Sequence, residues 1–191
     1  DARVRRALTY GIDRWGGSKY LSRIAIVKTV GGIVFPNHPF AATPDELSKL
    51  AGYSKDVAAN QAMSKKLLKE AGASNLAFEF NNRGVDQPYK VVGTWLIDQW
   101  RKVGMKVKQR VQPSPPFYAT LRKKKDFDVS IDFNCQAVIN PIADITKFLT
   151  TAGNNYSGGG DAKGDALYEK LLRSPDPKEQ RSEERRVGKE C

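Results

Sequence analysis

The chain predicts an α/β fold, a mixed, largely parallel sheet with flanking helices. Three short runs carry this reading, around Leu76–Asn82, Met105–Val111 and Asp126–Phe133. In each, apolar and polar residues alternate with period two, as on a strand with one buried face. Between them lie stretches with helical spacing, opened by Pro88 and by Pro115-Pro116, the first closed by Gly104, and Gly72 stops another helix just before the first run. The links are short, and the order strand, helix, strand, helix, strand argues for parallel neighbours joined by right-handed crossovers.

Taken in order, Asp1 can cap a first helix whose apolar face is Val4, Ala7, Leu8 and Ile12. Gly16-Gly17 is expected to interrupt it, with a second helical piece running to about Ile24. From Thr29 to Tyr53, Gly31-Gly32, Pro36, Pro39 and Pro44 imply a long irregular crossing. A helix is expected from Lys55 to Ala71, with Ala59, Ala62, Met63, Leu67 and Ala71 inward and Met63 as core filler. The first strand turns Leu76, Phe78 and Phe80 to one side. The next helix buries Val92, Leu96, Trp100 and Val103, and a second strand follows over Met105–Val111. Pro115-Pro116 then starts a short helix ending in Arg122-Lys123-Lys124-Lys125. Asp144–Leu149 reads as a short helix, Gly153–Gly160 as a flexible loop and Asp165–Leu172 as a helix.

The third strand organises the rest. Phe127, Val129, Ile131 and Phe133 are apolar, with Asp128, Ser130, Asp132 and Asn134 between them. Strands buried on both faces should be continuously apolar, so the alternation in all three implies one sheet face only partly covered. Lys106, Lys108 and Arg110 beside Glu79 and Asp128 suggest cross-strand ion pairs. Beyond the third strand the chain opens into a polar, small-residue loop. In α/β sheets ligands sit outside the carboxyl ends of strands. Asn134, Cys135 and Gln136 therefore read as the floor of a binding cleft, or as a plain turn after a core strand. Asn81-Asn82-Arg83 and Gln112 end the other two strands, and the three tips converge if the strands are parallel. Amides there donate and accept, and Arg83 can grip a carboxylate or phosphate through two nitrogens. Trp15, Tyr89, Trp95 and Trp100 read as core.

At 191 residues the chain suits one ordinary domain. No run reaches the roughly 18 apolar residues of a membrane span. Asp1 begins inside a helical pattern without Met or leader, so it is expected to be a truncation point. Arg181–Cys191 looks like the in-frame translation of a sequencing adapter and is expected to lie outside the fold; a charged surface helix is the alternative. The net charge is +11, from 32 basic and 21 acidic residues. That excess keeps a nucleic-acid-binding domain as the alternative function, although the basic residues are dispersed.

Enzymatic chemistry finds little support. His38 is the only histidine, no G-x-S-x-G occurs, and Gly158-Gly159-Gly160 lacks the Gly-Lys-Ser/Thr of a phosphate loop. Asp128 and Asp132 share a strand face but have Lys and Arg neighbours. No enzyme, metal or cofactor is expected.

One ordered series of segments resembles a known family. It starts with Asp1-Ala2-Arg3-Val4-Arg5-Arg6-Ala7-Leu8-Thr9-Tyr10-Gly11-Ile12-Asp13-Arg14, then Gly52-Tyr53 and Lys66–Gly72. Val103-Gly104-Met105-Lys106-Val107, Phe117-Tyr118, Phe127-Asp128, Asn155-Tyr156-Ser157 and Asp165-Ala166-Leu167-Tyr168 follow. Over about residues 1–180 this resembles the family 5 extracellular solute-binding proteins of ABC importers, the dipeptide, oligopeptide, nickel and opine group. The resemblance implies one lobe, the carboxy-terminal one, of a two-lobe periplasmic-binding-protein type II fold. It implies a monomer that binds a small solute or peptide and hands it to an ABC permease. It also implies a periplasmic place, or the outer membrane face as a lipoprotein. The ligand-binding positions expected are Arg83, Asn82, Asn134, Cys135, Gln136 and Tyr156. Peptide binders of the family commonly carry a Trp and, three residues on, an Asp that pairs with the peptide amine. Here those positions hold Asn134 and Ala137. With Asp132 expected to be engaged by the Lys106–Arg110 face, a neutral or acidic polar solute is expected, not one anchored by its amine.

Overall fold

The computed structural model describes residues 1–25, 28–32, 34–36, 38–39, 41–133 and 141–173. The chain divides into two compact units. The first comprises Asp1–Val30, Thr43–Thr120 and Asp126–Phe133; the second comprises Gly31–Ala42, Leu121–Lys125 and Asn134–Cys191.

In the first unit the elements are α1 (Ala2–Tyr10), α2 (Arg14–Leu21), α3 (Pro44–Ser48), α4 (Val57–Glu70), β1 (Ala77–Arg83), α5 (Val91–Lys102), β2 (Lys106–Gln112), α6 (Ser114–Ala119) and β3 (Val129–Ser130). The strands form a parallel sheet in the order β2-β1-β3. The β1–β2 ladder runs from Ala77↔Lys106 to Arg83↔Gln112, so the two strands end side by side. Gly72 and Gly104 close α4 and α5 with positive φ, as their positions in the sequence predict.

The main core joins Ala7, Leu67, Leu68, Phe80, Ile97, Trp100, Val103, Met105 and Val107. Trp100 meets the Phe78 and Phe80 rings edge-on at 5.5 and 5.3 Å and donates its indole N–H to Leu8 O at 3.0 Å. A buried Ser64 hydroxyl ties α4 to α1 by donating to Ala7 O at 2.7 Å.

Several expectations are corrected. The first helix ends at Gly11, and Gly16-Gly17 lies inside α2. There a Cβ on Gly17 would stand 2.6 Å from the Trp95 ring, so the absent side chain admits Trp95 against the helix. Met63 is not core filler, being 38% exposed; α4 instead buries Asn60, Ser64, Leu67 and Leu68. The polar pair is satisfied locally, since Ser64 binds α1 and Asn60 Nδ2 donates to Ser54 O. The crossing before Tyr53 contains α3, opened by a Thr43–Glu46 capping box. Only Val129–Ser130 ladders in the third strand, because the Asp128 carboxylate takes the Glu79 N–H at 2.9 Å. The apolar residues Val129, Ile131 and Phe133 do pack inward. Asn81, on the polar face, is fully buried, bonding Ser130 and accepting from Arg110.

The family-like segments at the start of the chain meet in space. Arg14 donates from Nη1 to Thr9 O and Gly52 O, both at 2.9 Å, and its guanidinium stands 4.5 Å from the Tyr53 ring centre. Burial lowers its pKa, opposed by Tyr53. Gly52 has φ +74°, and a Cβ there would lie 2.4 Å from Thr9 O.

In the second unit, α7 (Pro141–Ile145) runs into a 3₁₀ turn over Thr146–Phe148, and α8 spans Ala162–Arg173. The expected helix from Asp144 thus starts earlier. Ile145 and Leu171 form its core with Ile142, Leu167 and Tyr168 around them. Asn155 clamps the glycine loop: Nδ2 donates to Leu149 O and Gly159 O, and Oδ1 accepts from Ser157 and from the Gly158 N–H.

Candidate functional site

The carboxyl ends of β1 and β2 carry the first unit's most developed polar cluster. Parallel register brings Arg83 and Gln112 level, and Ser114 follows two residues later at the start of α6. Arg83 is half-buried. Its Nε donates to Ser114 Oγ at 2.7 Å, and its Nη1 donates to the Tyr89 and Tyr118 hydroxyls at 3.3 and 3.4 Å. The guanidinium carbon lies 5.1 and 5.2 Å from the two tyrosine ring centres, within cation–π range. Tyr89 passes its own proton toward Asp132 Oδ1 at 3.3 Å. Among the described residues, Nη2 is the guanidinium donor that no side chain or carbonyl takes.

Charge and burial tune these groups. The hydrogen bond with Tyr89 is the main cause holding Arg83 above its already high value, so the cation is permanent. Burial pushes Tyr118 up to about 12, with the hydrogen bond to Tyr89 and the Asp132 charge adding to it and Arg83 opposing. Tyr118 therefore keeps its proton across the physiological range. A fixed cation with one free N–H edge, flanked by two neutral phenols and a hydroxyl, suits an anionic oxygen, above all a carboxylate.

Of the expected ligand-binding residues, the structure brings Arg83 into this cluster. Asn82 points the other way. It is fully buried beneath the turn before α5, where its Nδ2 donates to Tyr89 O at 3.1 Å. Asn134, Cys135 and Gln136 lie outside the described residues, as does Arg181–Cys191. Tyr156 belongs to the second unit, where its hydroxyl accepts from Arg122 Nε at 3.4 Å. Asp132, expected against the basic face of β2, lies by Tyr89 instead, because β1 separates β2 from β3. Glu79 and Asp126 take Arg110, at 2.9 and 3.5 Å. Tyr89, Tyr118 and Ser114 were missed as site residues. Tyr89 does sit in the core, 5% exposed, and its ring and hydroxyl both meet the Arg83 guanidinium.

Among the described residues no group of three or more His, Cys, Asp or Glu could hold a metal, and no helix is long and apolar enough to cross a membrane. The ion pairs of the basic residues are spread over α1, α4, the turn before α5, α5, β2 and α8.

The first unit is thus a parallel sheet flanked by helices, with a polar cluster at its carboxyl edge. Residues 1–156 match the family described as Bacterial extracellular solute-binding proteins, family 5 Middle, and the chain belongs to that family. It is a family of binding proteins, not of enzymes. The fold is similar to solved structures of Haemophilus influenzae OppA in complex with RPPGFSPFR (18% identity, TM-score 0.77), Burkholderia pseudomallei OppA (21%, 0.79) and the Escherichia coli murein tripeptide binding protein MppA (19%, 0.79). These matches cover 99%, 98% and 99% of this chain and 37%, 37% and 36% of theirs. The chain thus spans little more than a third of their length. No curated protein matches it.

Proposed function

We propose that the chain is the carboxy-terminal lobe, over residues 1–180, of a two-lobed solute-binding component of an ABC importer. The complete protein captures a small polar solute, a peptide, opine or related acid, in the cleft between lobes. It then delivers the solute to a membrane permease. Export to the periplasm, or to the outer membrane face as a lipoprotein, belongs to the same reading, as does a monomeric state. Family membership supports it, together with fold likeness to an OppA solved in complex with RPPGFSPFR and to MppA, a murein tripeptide binding protein.

The observation that carries it is the Arg83 cluster at the sheet's carboxyl edge. Arg83 is held by Ser114, Tyr89 and Tyr118 and keeps one donor edge for a solute's carboxylate. A lone ammonium finds less there, because it would stand beside the Arg83 cation, while Asp132 accepts from the Tyr89 hydroxyl. Calorimetry on the complete two-lobed protein tests this, with short peptides, their N-acetylated forms, acidic sugars and opine-like acids. Acidic solutes and N-acetylated peptides are expected to bind, and Arg83→Met to weaken them about 10- to 100-fold, as for loss of a hydrogen bond to a charged group. Binding of free peptides that vanishes on acetylation and ignores Arg83→Met would reject the anionic reading.

A further inference from the structure

The sheet order β2-β1-β3 leaves β2 at an edge. Along a parallel strand, alternate residues turn both backbone groups toward one neighbour, and the residues between them turn theirs away. The Lys106 N–H donates to Leu76 O at 2.8 Å, and Gln112 O accepts the Gly84 N–H at 2.6 Å, so the even-numbered residues of β2 face β1. Val107, Gln109 and Val111 therefore present their N–H and C=O groups outward. Arg101, near the end of α5, agrees with this direction, since its Nη2 donates to Val107 O at 3.2 Å. Among the described residues no partner takes the three outward N–H groups, or the carbonyls of Gln109 and Val111.

Shape and charge narrow what can lie there. A groove of about 750 Å³ opens beside the first half of this edge, lined by apolar Phe78, Met105 and Val107 and by the cations Arg101, Lys106 and Lys108. Glu79 is the acid in that lining, and Arg110 already holds it at 2.9 Å. Arg101 and Lys106 make no ion pair among the described residues, and the Lys108 side chain is 84% exposed, 4.0 Å from Glu79. Val111, at the other end, is 47% exposed. A free strand edge is a template for another strand, and lysines along it act as a guard. Here the guard is selective. Like charges across a strand pair oppose pairing and opposite charges favour it, so a second copy of this edge is repelled and an acidic strand is not.

We propose that the outer edge of β2 is a docking site for an extended acidic segment of a partner protein, which adds a strand to the sheet. Carboxylates at alternate positions of that segment meet Lys106 and Lys108, and its backbone pairs with Gln109 and Val111. Arg101 marks the end of the pairing, because it already holds Val107 O. The docked strand lies against the backbone of β2, so this inference does not depend on the Arg83 reading.

The test is hydrogen exchange over β2, with binding titrations, on the complete protein carrying Arg83→Met, so that an acidic probe gains nothing from the Arg83 cluster. The probes are a peptide alternating Glu and Val, capped at both ends, and the same peptide with Lys in place of Glu. The acidic peptide is expected to slow exchange over Lys106–Gln112 and to bind about tenfold or more tightly than the basic one. Lys106→Glu combined with Lys108→Glu is expected to reverse that order. Lys106→Gln combined with Lys108→Gln, a milder change should the reversal unfold the protein, is expected to bring the two peptides level. Gln109→Pro removes an outward N–H and leaves the ladder to β1 in place, so it should weaken the acidic peptide by about threefold to tenfold. Equal binding of the two peptides, or an order that neither pair of charge substitutions moves, overturns the inference. Binding without slower exchange over β2 puts the peptide elsewhere and overturns it too. Exchange over β2 that is slow without peptide also rejects an acidic partner: at every protein concentration it means that the chain covers its own edge, and at high concentration alone it means a second copy.

Discussion

At the scale of the residue, Arg83 and Tyr118 show how neighbours decide chemistry that a side chain's identity leaves open. Arg83 could have been a solvated strand end. Two phenols and a serine make it an oriented cation instead. Tyr118 carries a prediction about pH. Its folded pKa, about 12, lies above the ordinary tyrosine value of 10.0. The fold thus favours the neutral phenol, and unfolded chain loses this proton first as pH rises. The contribution is fully present below about pH 10 and is lost as pH climbs through about 12. Urea unfolding of wild type and Tyr118→Phe should show wild type losing more stability across that window. Parallel pH profiles would mean the phenol is not held neutral by the fold.

At the scale of the element, helix α4 and its glycine-bounded neighbours separate propensity from packing. Leu68 is 1% exposed whereas Met63 is 38% exposed, although both lie within the same apolar-looking stretch. Leu68→Ala should cost about 2–5 kcal/mol, and Met63→Lys about 0.5 kcal/mol or less. Urea midpoints of the two variants check this, and a costly Met63→Lys would put the helix in another rotation. Gly72 and Gly52 both have positive φ, but only Gly52 is crowded. Gly72→Ala has open space and should cost about 1 kcal/mol from backbone strain alone. Gly52→Ala adds a clash with Thr9 O and displaces Arg14, so it should cost about twice as much or more. Equal losses in the same measurement would mean that the Thr9–Gly52–Arg14 junction yields easily.

At the scale of the whole molecule, the sequence end is the part with least to bury. Seven of the eleven residues in Arg181–Cys191 are charged, and only Val187 and Cys191 are apolar. A segment of that composition gains little from packing. Deleting it should leave the thermal midpoint unchanged within about 0.5 kcal/mol of stability. A clear loss of stability would show that Val187 packs against the fold and would remove the adapter reading. The same balance bears on binding, since on the two-lobed reading proposed above this chain offers one wall of a cleft. The complete protein should bind the acids named above far more tightly than residues 1–180 alone, as titrations of both will reveal.

The sequence by itself determined the elements whose signals are local. Period-two runs, Gly72, Gly104 and the Asp1 cap report backbone geometry within a few residues, so the first two strands, the helix stops and the parallel order were legible, whereas the third strand proved shorter than its alternation. The ordered landmarks, read together, were enough to point to the family. Arg83 was legible too, as a cation at a strand tip. Only the tertiary structure decided what meets it. The order β2-β1-β3 moved Asp132 away from the basic strand and toward Tyr89. Parallel register set Gln112 level with Arg83, and packing turned Asn82 inward under α5. Those facts depend on which strand lies in the middle and which side of a helix turns inward. Both are settled by competition among distant apolar surfaces for the same core, and alternation along one segment carries no record of that outcome.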